Sequence, residues 1–251
     1  MEDRWNVLFQ GLFRMLVICL VLAIFFPVYE ADFTGKVFGQ TEPVVCLVGE
    51  DVILPCTLRN NVSTVNAVKE AVEWQKMDLT QKDVHFYTDS RDSNMDQIPS
   101  YRGRTSLFKE ELRKGNISLK LTSVKLSDAG EYSCSVPSLH RNEKAFIQLK
   151  VGAVSQPVIS IMGPKDDGVV LKCESGGWYP EPKMTWLDSD GSILPDGPIE
   201  TQIDSEGRYT VRGEVTIQKT DNNKFTCRVN QLQINQMKET EMNIPGDVVT
   251  S

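Results

Sequence analysis

The feature that most constrains this chain is an arrangement of cysteine and tryptophan that occurs twice. Each half of the sequence has a tryptophan between two distant cysteines: Cys56, Trp74 and Cys134 in the first half, and Cys173, Trp186 and Cys227 in the second. The two cysteines are 78 residues apart in the first half and 54 in the second. A disulfide that joins two packed β-sheets, with a buried indole against it, produces such an arrangement. We therefore expect two successive β-sandwiches, with Cys56–Cys134 and Cys173–Cys227 disulfides.

Short stretches of alternating apolar and polar residues surround these cysteines, and this is the period of a β-strand with one buried face. Clear examples are residues 71–76, 117–121, 145–151, 183–187 and 210–217. Helical periodicity of useful length is absent beyond the N-terminal segment. The predicted fold class is therefore all-β, and the repeated spacing is the signature of the immunoglobulin sandwich.

The two cysteine intervals indicate different types of immunoglobulin domain. The longer first interval leaves room for the two extra strands of a variable-type domain, whereas the shorter second interval fits a constant-type domain. We expect two tandem immunoglobulin sandwiches, variable-type over residues 33–152 and then constant-type over residues 156–245. Residues 246–251 form a short tail.

The N-terminal segment predicts the compartment. Residues 15–28 are apolar and carry no charge. A membrane-spanning helix needs roughly 20 apolar residues, so this run is short for a span and suits the core of a signal peptide. We expect residues 1–30 to be a cleaved signal peptide rather than an uncleaved anchor. The sequence as written predicts an extracellular, secreted product; a transmembrane helix in a longer product would hold it on the external side of the plasma membrane.

The cysteine count leaves one thiol over. Cys19 lies inside the expected signal peptide, so five cysteines remain, and Cys46 has no partner in the two expected disulfides. Two roles are open for Cys46, a buried inert thiol or a bridge to another molecule.

Charge and composition exclude several function classes. The formal net charge is -7, with no basic block, so the chain lacks the positive patch of a nucleic-acid-binding protein. The only two histidines, His85 and His140, are far apart, and no CxxC pair is present, so we expect neither a metal site nor a cofactor. Nucleophilic catalysis needs a positioned base, usually histidine, and no such arrangement is evident, so we expect no enzyme activity.

Four segments together resemble the butyrophilin family, whose relatives include the T-cell costimulatory ligands and myelin oligodendrocyte glycoprotein. These segments are Gly49-Glu-Asp-Val-Ile-Leu-Pro-Cys56, Tyr101-Arg-Gly-Arg-Thr105, Asp128-Ala-Gly-Glu-Tyr-Ser-Cys134 and Glu174-Ser-Gly-Gly-Trp-Tyr-Pro-Glu-Pro182. The third segment is common to variable-type domains, whereas the fourth is much more specific to the second domains of butyrophilins. The resemblance covers residues 33–245.

This resemblance implies an ectodomain that binds a protein receptor on T cells and regulates T-cell activation and cytokine production. The sequence does not name the receptor or give the sign of the effect. The alternative is a homophilic adhesion protein, whose first domain would associate with a second copy of itself on an opposed cell. The acidic charge does not distinguish the two.

Some of the motif residues have structural roles in this interpretation. Tyr132, two residues before Cys134, is placed to close a tyrosine corner, and Arg104 and Asp128 are expected to form a buried ion pair that matters for folding. Asn61 and Asn116 begin the N-x-Ser sequons and are candidate glycosylation sites.

Strand periodicity also predicts a partner-binding face on the first domain. If Trp74, Val84, Phe86, Cys134, Ala145 and Ile147 point inward, their neighbours point outward. The predicted outward set is Glu73, Gln75, His85, Tyr87, Phe146 and Gln148, with Leu139, His140 and Arg141 on the adjacent loop. Exposed aromatic residues beside small serines are typical of an interface centre. The alternatives are that these rings only cover each other, or that the strand register differs by one residue.

Overall fold

The structure is a computed structural model that describes residues 35–139, 143–166, 168–195, 197–218 and 223–244. The expected signal peptide and C-terminal tail lie outside the described residues. Within them, no helix combines the length and the apolar character needed to cross a bilayer.

Eleven strands form the first sandwich. They are β1 (Lys36–Gly39), β2 (Val44–Leu47), β3 (Val52–Leu54), β4 (Cys56–Arg59), β5 (Val72–Lys76), β6 (Asp83–Thr88), β7 (Arg91–Ser93), β8 (Thr105–Leu107), β9 (Leu119–Leu121), β10 (Gly130–Ser135) and β11 (Lys144–Gly152). Short 3-10 helices cover Pro99–Tyr101, Lys109–Lys114 and Leu126–Asp128.

One large sheet and two small ones make up this sandwich. The large sheet has six strands in the order β2-β11-β10-β5-β6-β7, and the small sheets have the orders β3-β9-β8 and β1-β4. All neighbours in the large sheet are antiparallel except β2, which runs parallel to β11. Strands β6 and β7, beyond β5, are the additional strands expected of a variable-type domain.

The core of the first sandwich is built around the expected disulfide. Cys56 on β4 is bonded to Cys134 on β10, with Cα atoms 6.7 Å apart, so the bond joins different sheets. Trp74 is fully buried, and its indole Nε1 donates to the carbonyl oxygen of Ile117 at 3.0 Å. That hydrogen bond satisfies the polar atom that burial of an indole would otherwise leave unpaired.

A buried polar cluster lies where the chain turns into β10. Arg104 donates from Nη1 and Nη2 to the two carboxylate oxygens of Asp128, at 2.8 and 2.9 Å. The Tyr132 hydroxyl donates to the Asp128 carbonyl oxygen at 2.6 Å, and the Tyr101 hydroxyl lies 2.8 Å from that of Tyr132. The predicted ion pair and tyrosine corner are therefore parts of one network.

Seven strands form the second sandwich. They are β12 (Val158–Lys165), β13 (Gly168–Trp178), β14 (Lys183–Leu187), β15 (Ile199–Ile203), β16 (Tyr209–Gln218), β17 (Lys224–Gln231) and β18 (Gln236–Asn243). The sheets have the orders β12-β13-β16-β15 and β14-β17-β18, and one short 3-10 helix covers Leu232–Ile234. A four-stranded sheet packed on a three-stranded one is the constant-type arrangement. The predicted all-β fold of two tandem immunoglobulin sandwiches is thus confirmed.

The second core has the same frame as the first, namely a disulfide between the sheets and a buried tryptophan, but fewer buried polar residues. Cys173 on β13 is bonded to Cys227 on β17, with Cα atoms 6.4 Å apart, and Trp186 is buried in the same cluster. Phe225 occupies the position two residues before the second cysteine and is buried among apolar side chains. The Tyr179–Pro180 peptide bond is cis.

Cys46, on β2, is buried and unbonded. Desolvation by burial, with the nearby negative charge of Glu50 and Asp128, raises the pKa of its thiol to about 11. A thiol with that pKa is almost entirely protonated at neutral pH, which matches the inert role better than the bridging one.

Candidate functional site

The outer surface of the six-stranded sheet is the candidate functional site. We call the side chains on the outward side of its central strands the front face; Ser133 and Ser135 among them are buried. The set is Glu73, Gln75, Phe86, Glu131, Ser133, Ser135, Lys144, Phe146 and Gln148. Strand pairing aligns them in rows, since Ser133 on β10 pairs with both Phe146 on β11 and Gln75 on β5. The next row aligns Ser135 with Lys144 and Glu73 in the same way.

Phe146 is the most exposed aromatic ring of the front face. Its side chain is 50% exposed, on a strand whose neighbouring residues Ala145 and Ile147 are buried. Ser133, its neighbour across the strands, is fully buried, and its hydroxyl has no hydrogen-bond partner among the described residues. A large exposed ring therefore stands next to a small side chain that leaves the ring accessible.

Hydrogen bonds fix the polar side chains beside Phe146. Gln75 Nε2 donates to Glu73 Oε1 and to Asp83 Oδ1, at 3.1 Å each, and Gln75 Oε1 accepts from Lys144 Nζ at 2.9 Å. The Ser135 hydroxyl donates to Glu73 Oε2 at 3.1 Å. Lys144 Nζ also lies 3.9 Å from the Glu73 carboxylate. This network holds the middle of the front face in one arrangement.

The prediction that His85 and Tyr87 point outward is wrong. Trp74 pairs with His85, but the next residue, Gln75, pairs with Asp83, so Val84 is an extra residue in β6. Such a bulge shifts the alternation of every later residue in the strand by one. His85 and Tyr87 therefore point inward, each 2% exposed, and Phe86, expected inside, takes the outward position.

Both misassigned side chains contact polar groups of partly buried residues. The Tyr87 hydroxyl donates to the Val68 carbonyl oxygen at 3.2 Å. His85 Nδ1 lies 3.0 Å from the Thr105 hydroxyl, and His85 Nε2 lies 3.3 Å from Asp92 Oδ1. Burial lowers the pKa of His85, and the Asp92 carboxylate opposes this only in part. His85 is thus a structural residue of the first sandwich.

The adjacent loop contributes less to the face than expected. Leu139 is buried rather than lying at the rim, because its backbone N–H bonds to the Val136 carbonyl oxygen and turns the side chain inward. His140 and Arg141, the other two predicted rim residues, lie outside the described residues.

The front face includes residues that the sequence interpretation did not select. Lys144 could have been found, because it precedes Phe146 by two residues and so shares its side of β11. Phe86 could not have been found by alternation alone, because its orientation depends on the bulge.

Both candidate glycosylation sites lie away from the front face. Asn61 is exposed in the loop after β4, and Asn116 is half-buried, forms a bridge with Thr57 on β4, and accepts from the Ser118 N–H at 3.0 Å. Neither belongs to the six-stranded sheet. In the part of the chain that the structure describes, no group of metal-ligating side chains is present.

Comparison with known protein families matches both sandwiches. Residues 40–152 match the immunoglobulin V-set domain, and residues 154–239 match the family described as "Butyrophilin subfamily 3 member A2-like, Ig-C domain".

Individual relatives are similar over most of the chain. Human butyrophilin subfamily 1 member A1 is 34% identical over 91% of this chain, and mouse butyrophilin subfamily 2 member A2 is 32% identical over 94%. These alignments cover 43% and 45% of the two relatives, so the chain spans less than half of their length.

Solved structures show the same similarity. The crystal structure of bovine butyrophilin aligns with a TM-score of 0.69 and 33% identity, covering 84% of this chain and 99% of that one. A chain from the crystal structure of ICOS in complex with ICOS-L and an anti ICOS-L VNAR domain aligns with a TM-score of 0.58 and 23% identity, covering 81% and 100%. The second likeness is one of fold alone.

Proposed function

Because the chain belongs to the butyrophilin family, we propose that it binds a protein receptor on T cells and so regulates T-cell activation and cytokine production. Its relatives are immunoglobulin-fold surface proteins of the immune system and not enzymes. The disulfide-bonded fold suits the extracellular space, where disulfides persist. We place the receptor contact on the front face.

The half-exposed Phe146 ring is the observation that carries this assignment. Exposing an apolar side chain of that size to water is unfavourable in free energy. Aromatic residues also dominate the energy of protein–protein contacts. The hydrogen-bonded Gln75, Glu73 and Lys144 side chains beside it are already ordered. A partner therefore has less side-chain entropy to remove when it docks here.

The positions of the sequons support the same face. Glycans on Asn61 and Asn116 would project from β4 and the loops beside it, outside the six-stranded sheet. Such bulky modifications would cover other surfaces of the first sandwich and leave the front face free.

The test is binding of the tagged full chain to resting and activated T cells, together with its mass in solution. We expect a monomer that stains T cells and changes their cytokine secretion on stimulation. A stable dimer that does not stain T cells would favour homophilic adhesion instead. A monomer that binds no T cell would contradict the proposal.

A further inference from the structure

A cleft opens at the edge of the front face, beside the Phe86 ring. It is lined by Glu73, Asp83, Phe86, Ser93, Asp96 and Gln97, and encloses about 190 Å³. Pockets for small-molecule ligands usually measure roughly 300–1,000 Å³, so this cleft is of a size for one side chain rather than a small molecule.

The cleft presents three carboxylates with little neutralising charge. Those of Glu73 and Asp83 accept from the uncharged amide of Gln75. The closest cation to Glu73 is Lys144, at 3.9 Å. Among the described residues, no lysine or arginine forms an ion pair with Asp83 or Asp96. The carboxylates of Asp83 and Asp96 are thus left for an external cation.

Gln97, which lines the same cleft, has a buried acceptor. Gln97 is 4% exposed, and its Nε2 donates to the Val84 carbonyl oxygen and to the Thr105 hydroxyl, at 2.8 Å each. Its Oε1 has no hydrogen-bond partner in the described part of the chain. A buried acceptor without a donor is unfavourable by about 1–3 kcal/mol, so the cleft wall favours a ligand that brings hydrogen-bond donors.

The Phe86 ring adds a third feature that favours a cation. The ring is half-buried on the outward side of β6, opposite Glu73 on β5. The face of an aromatic ring attracts a cation placed over it, and arginine forms this contact more often than lysine.

We propose that this cleft receives an arginine side chain of the receptor. A guanidinium has five N–H donors in one plane and can bond to carboxylates on several sides while stacking on the ring. A lysine ammonium is a compact, strongly hydrated charge and would use the ring and the separate acceptors less well. This inference rests on the proposed function and assigns the chemistry of the partner at the same face.

The first test uses a fragment probe on the full chain and needs no receptor. N-acetyl-arginine amide is titrated against the protein and followed by NMR, with N-acetyl-citrulline amide as the uncharged isostere. We expect the Phe86 ring and Gln97 side-chain amide signals to shift with the arginine probe. Citrulline should bind about tenfold more weakly, since it lacks the charge that strengthens these hydrogen bonds.

Two variants that neutralise carboxylates distinguish the cleft from the rest of the face. The Asp83→Asn/Asp96→Asn double variant keeps hydrogen-bonding side chains of the same shape and should lose the arginine-induced shifts. Glu131→Gln, on the same face but outside the cleft, should keep them. Equal shifts with arginine and citrulline, or unchanged shifts in the double variant, would overturn the cleft assignment.

Staining of T cells then separates this inference from the proposed function. If the double variant and Phe146→Ala both bind T cells more weakly, both assignments stand. If Phe146→Ala alone weakens staining, the cleft assignment is wrong and the proposed function stands. If the arginine probe binds but the wild-type chain stains no T cells, the proposed function is wrong while arginine recognition stands.

Discussion

The two sandwiches share a frame but are stabilised differently around it. Each has a disulfide between its sheets and a buried tryptophan in the same core. Two residues before the second cysteine, however, the first sandwich has Tyr132, whose hydroxyl is bonded, whereas the second has Phe225 among apolar side chains. The first sandwich therefore depends on buried polar contacts at a place where the second depends on hydrophobic packing.

The ion pairs of the two sandwiches also differ in burial, and again the first sandwich has the buried polar contact. The Asp128 carboxylate that binds Arg104 is 2% exposed, whereas the Glu174–Arg212 pair of the second sandwich lies at the surface. An exposed pair contributes little to stability because water and salt already solvate both charges, but a buried charge that loses its partner is strongly unfavourable. The first sandwich is therefore the more sensitive to loss of a single polar group.

Asp128→Ala should produce the largest effect. It removes the acceptor of both Arg104 hydrogen bonds and of the Lys125 N–H, and leaves the guanidinium without its partner. We expect the first sandwich to lose about 3 kcal/mol of unfolding free energy in urea titrations. Glu174→Ala is the matched control in the second sandwich and should change stability far less. Similar losses in both variants would contradict the comparison.

Tyr132→Phe should have the next largest effect, because it gives the first sandwich the residue type found in the second. The variant removes the donor to the Asp128 carbonyl oxygen and the hydroxyl that faces Tyr101. We expect a loss of about 2 kcal/mol, since two buried polar groups lose a partner. Tyr209→Phe in the second sandwich is the control, because its hydroxyl forms no hydrogen bond among the described residues. An unchanged melting temperature for Tyr132→Phe would show that the corner contributes nothing.

Acidification should destabilise the first sandwich more than the second. We expect this change in unfolding free energy to be smaller than those caused by Asp128→Ala and Tyr132→Phe. The folded pKa of His85 is lowered by burial, so the unfolded chain takes up the proton first as pH falls below about 6.5. Stability is therefore full above that pH and falls below it, until the folded histidine also titrates. His85→Gln should remove this part of the pH dependence, measured as unfolding free energy between pH 7 and pH 5. If the unfolding free energy of the variant changed with pH as steeply as that of the wild type, His85 would not be the source of the pH dependence.

The frame could be predicted from sequence because it depends on local regularities. Spacing of cysteine and tryptophan, and the period of two in strands such as β11, place Trp74, Cys134 and Phe146 without knowledge of neighbouring strands. The ion pair between Arg104 and Asp128 could be predicted through its resemblance to the pair found in other variable-type domains, and not from these regularities.

The bulge in β6 could not be predicted in that way. Residues 84–87 are all apolar or aromatic apart from His85, so both registers place comparable side chains inside. The choice between them depends on how β6 pairs with β5, where Val84 is left without a counterpart. The outward position of Phe86, and with it the cleft, is therefore a property of the sheet rather than of the strand.

If the partner docks on the front face, as we propose, two exposed phenylalanines will differ in how much they contribute to binding. Phe146 lies on that face, whereas Phe38, 39% exposed beside the Arg59 guanidinium, lies on β1 in another sheet. Binding of each alanine variant to activated T cells is measured beside the wild type, with its melting temperature. We predict that Phe146→Ala weakens binding about thirtyfold, or about 2 kcal/mol, without a change in melting temperature, and that Phe38→Ala binds as the wild type does. Equal binding by Phe146→Ala and the wild type, or a larger loss for Phe38→Ala, would contradict the account.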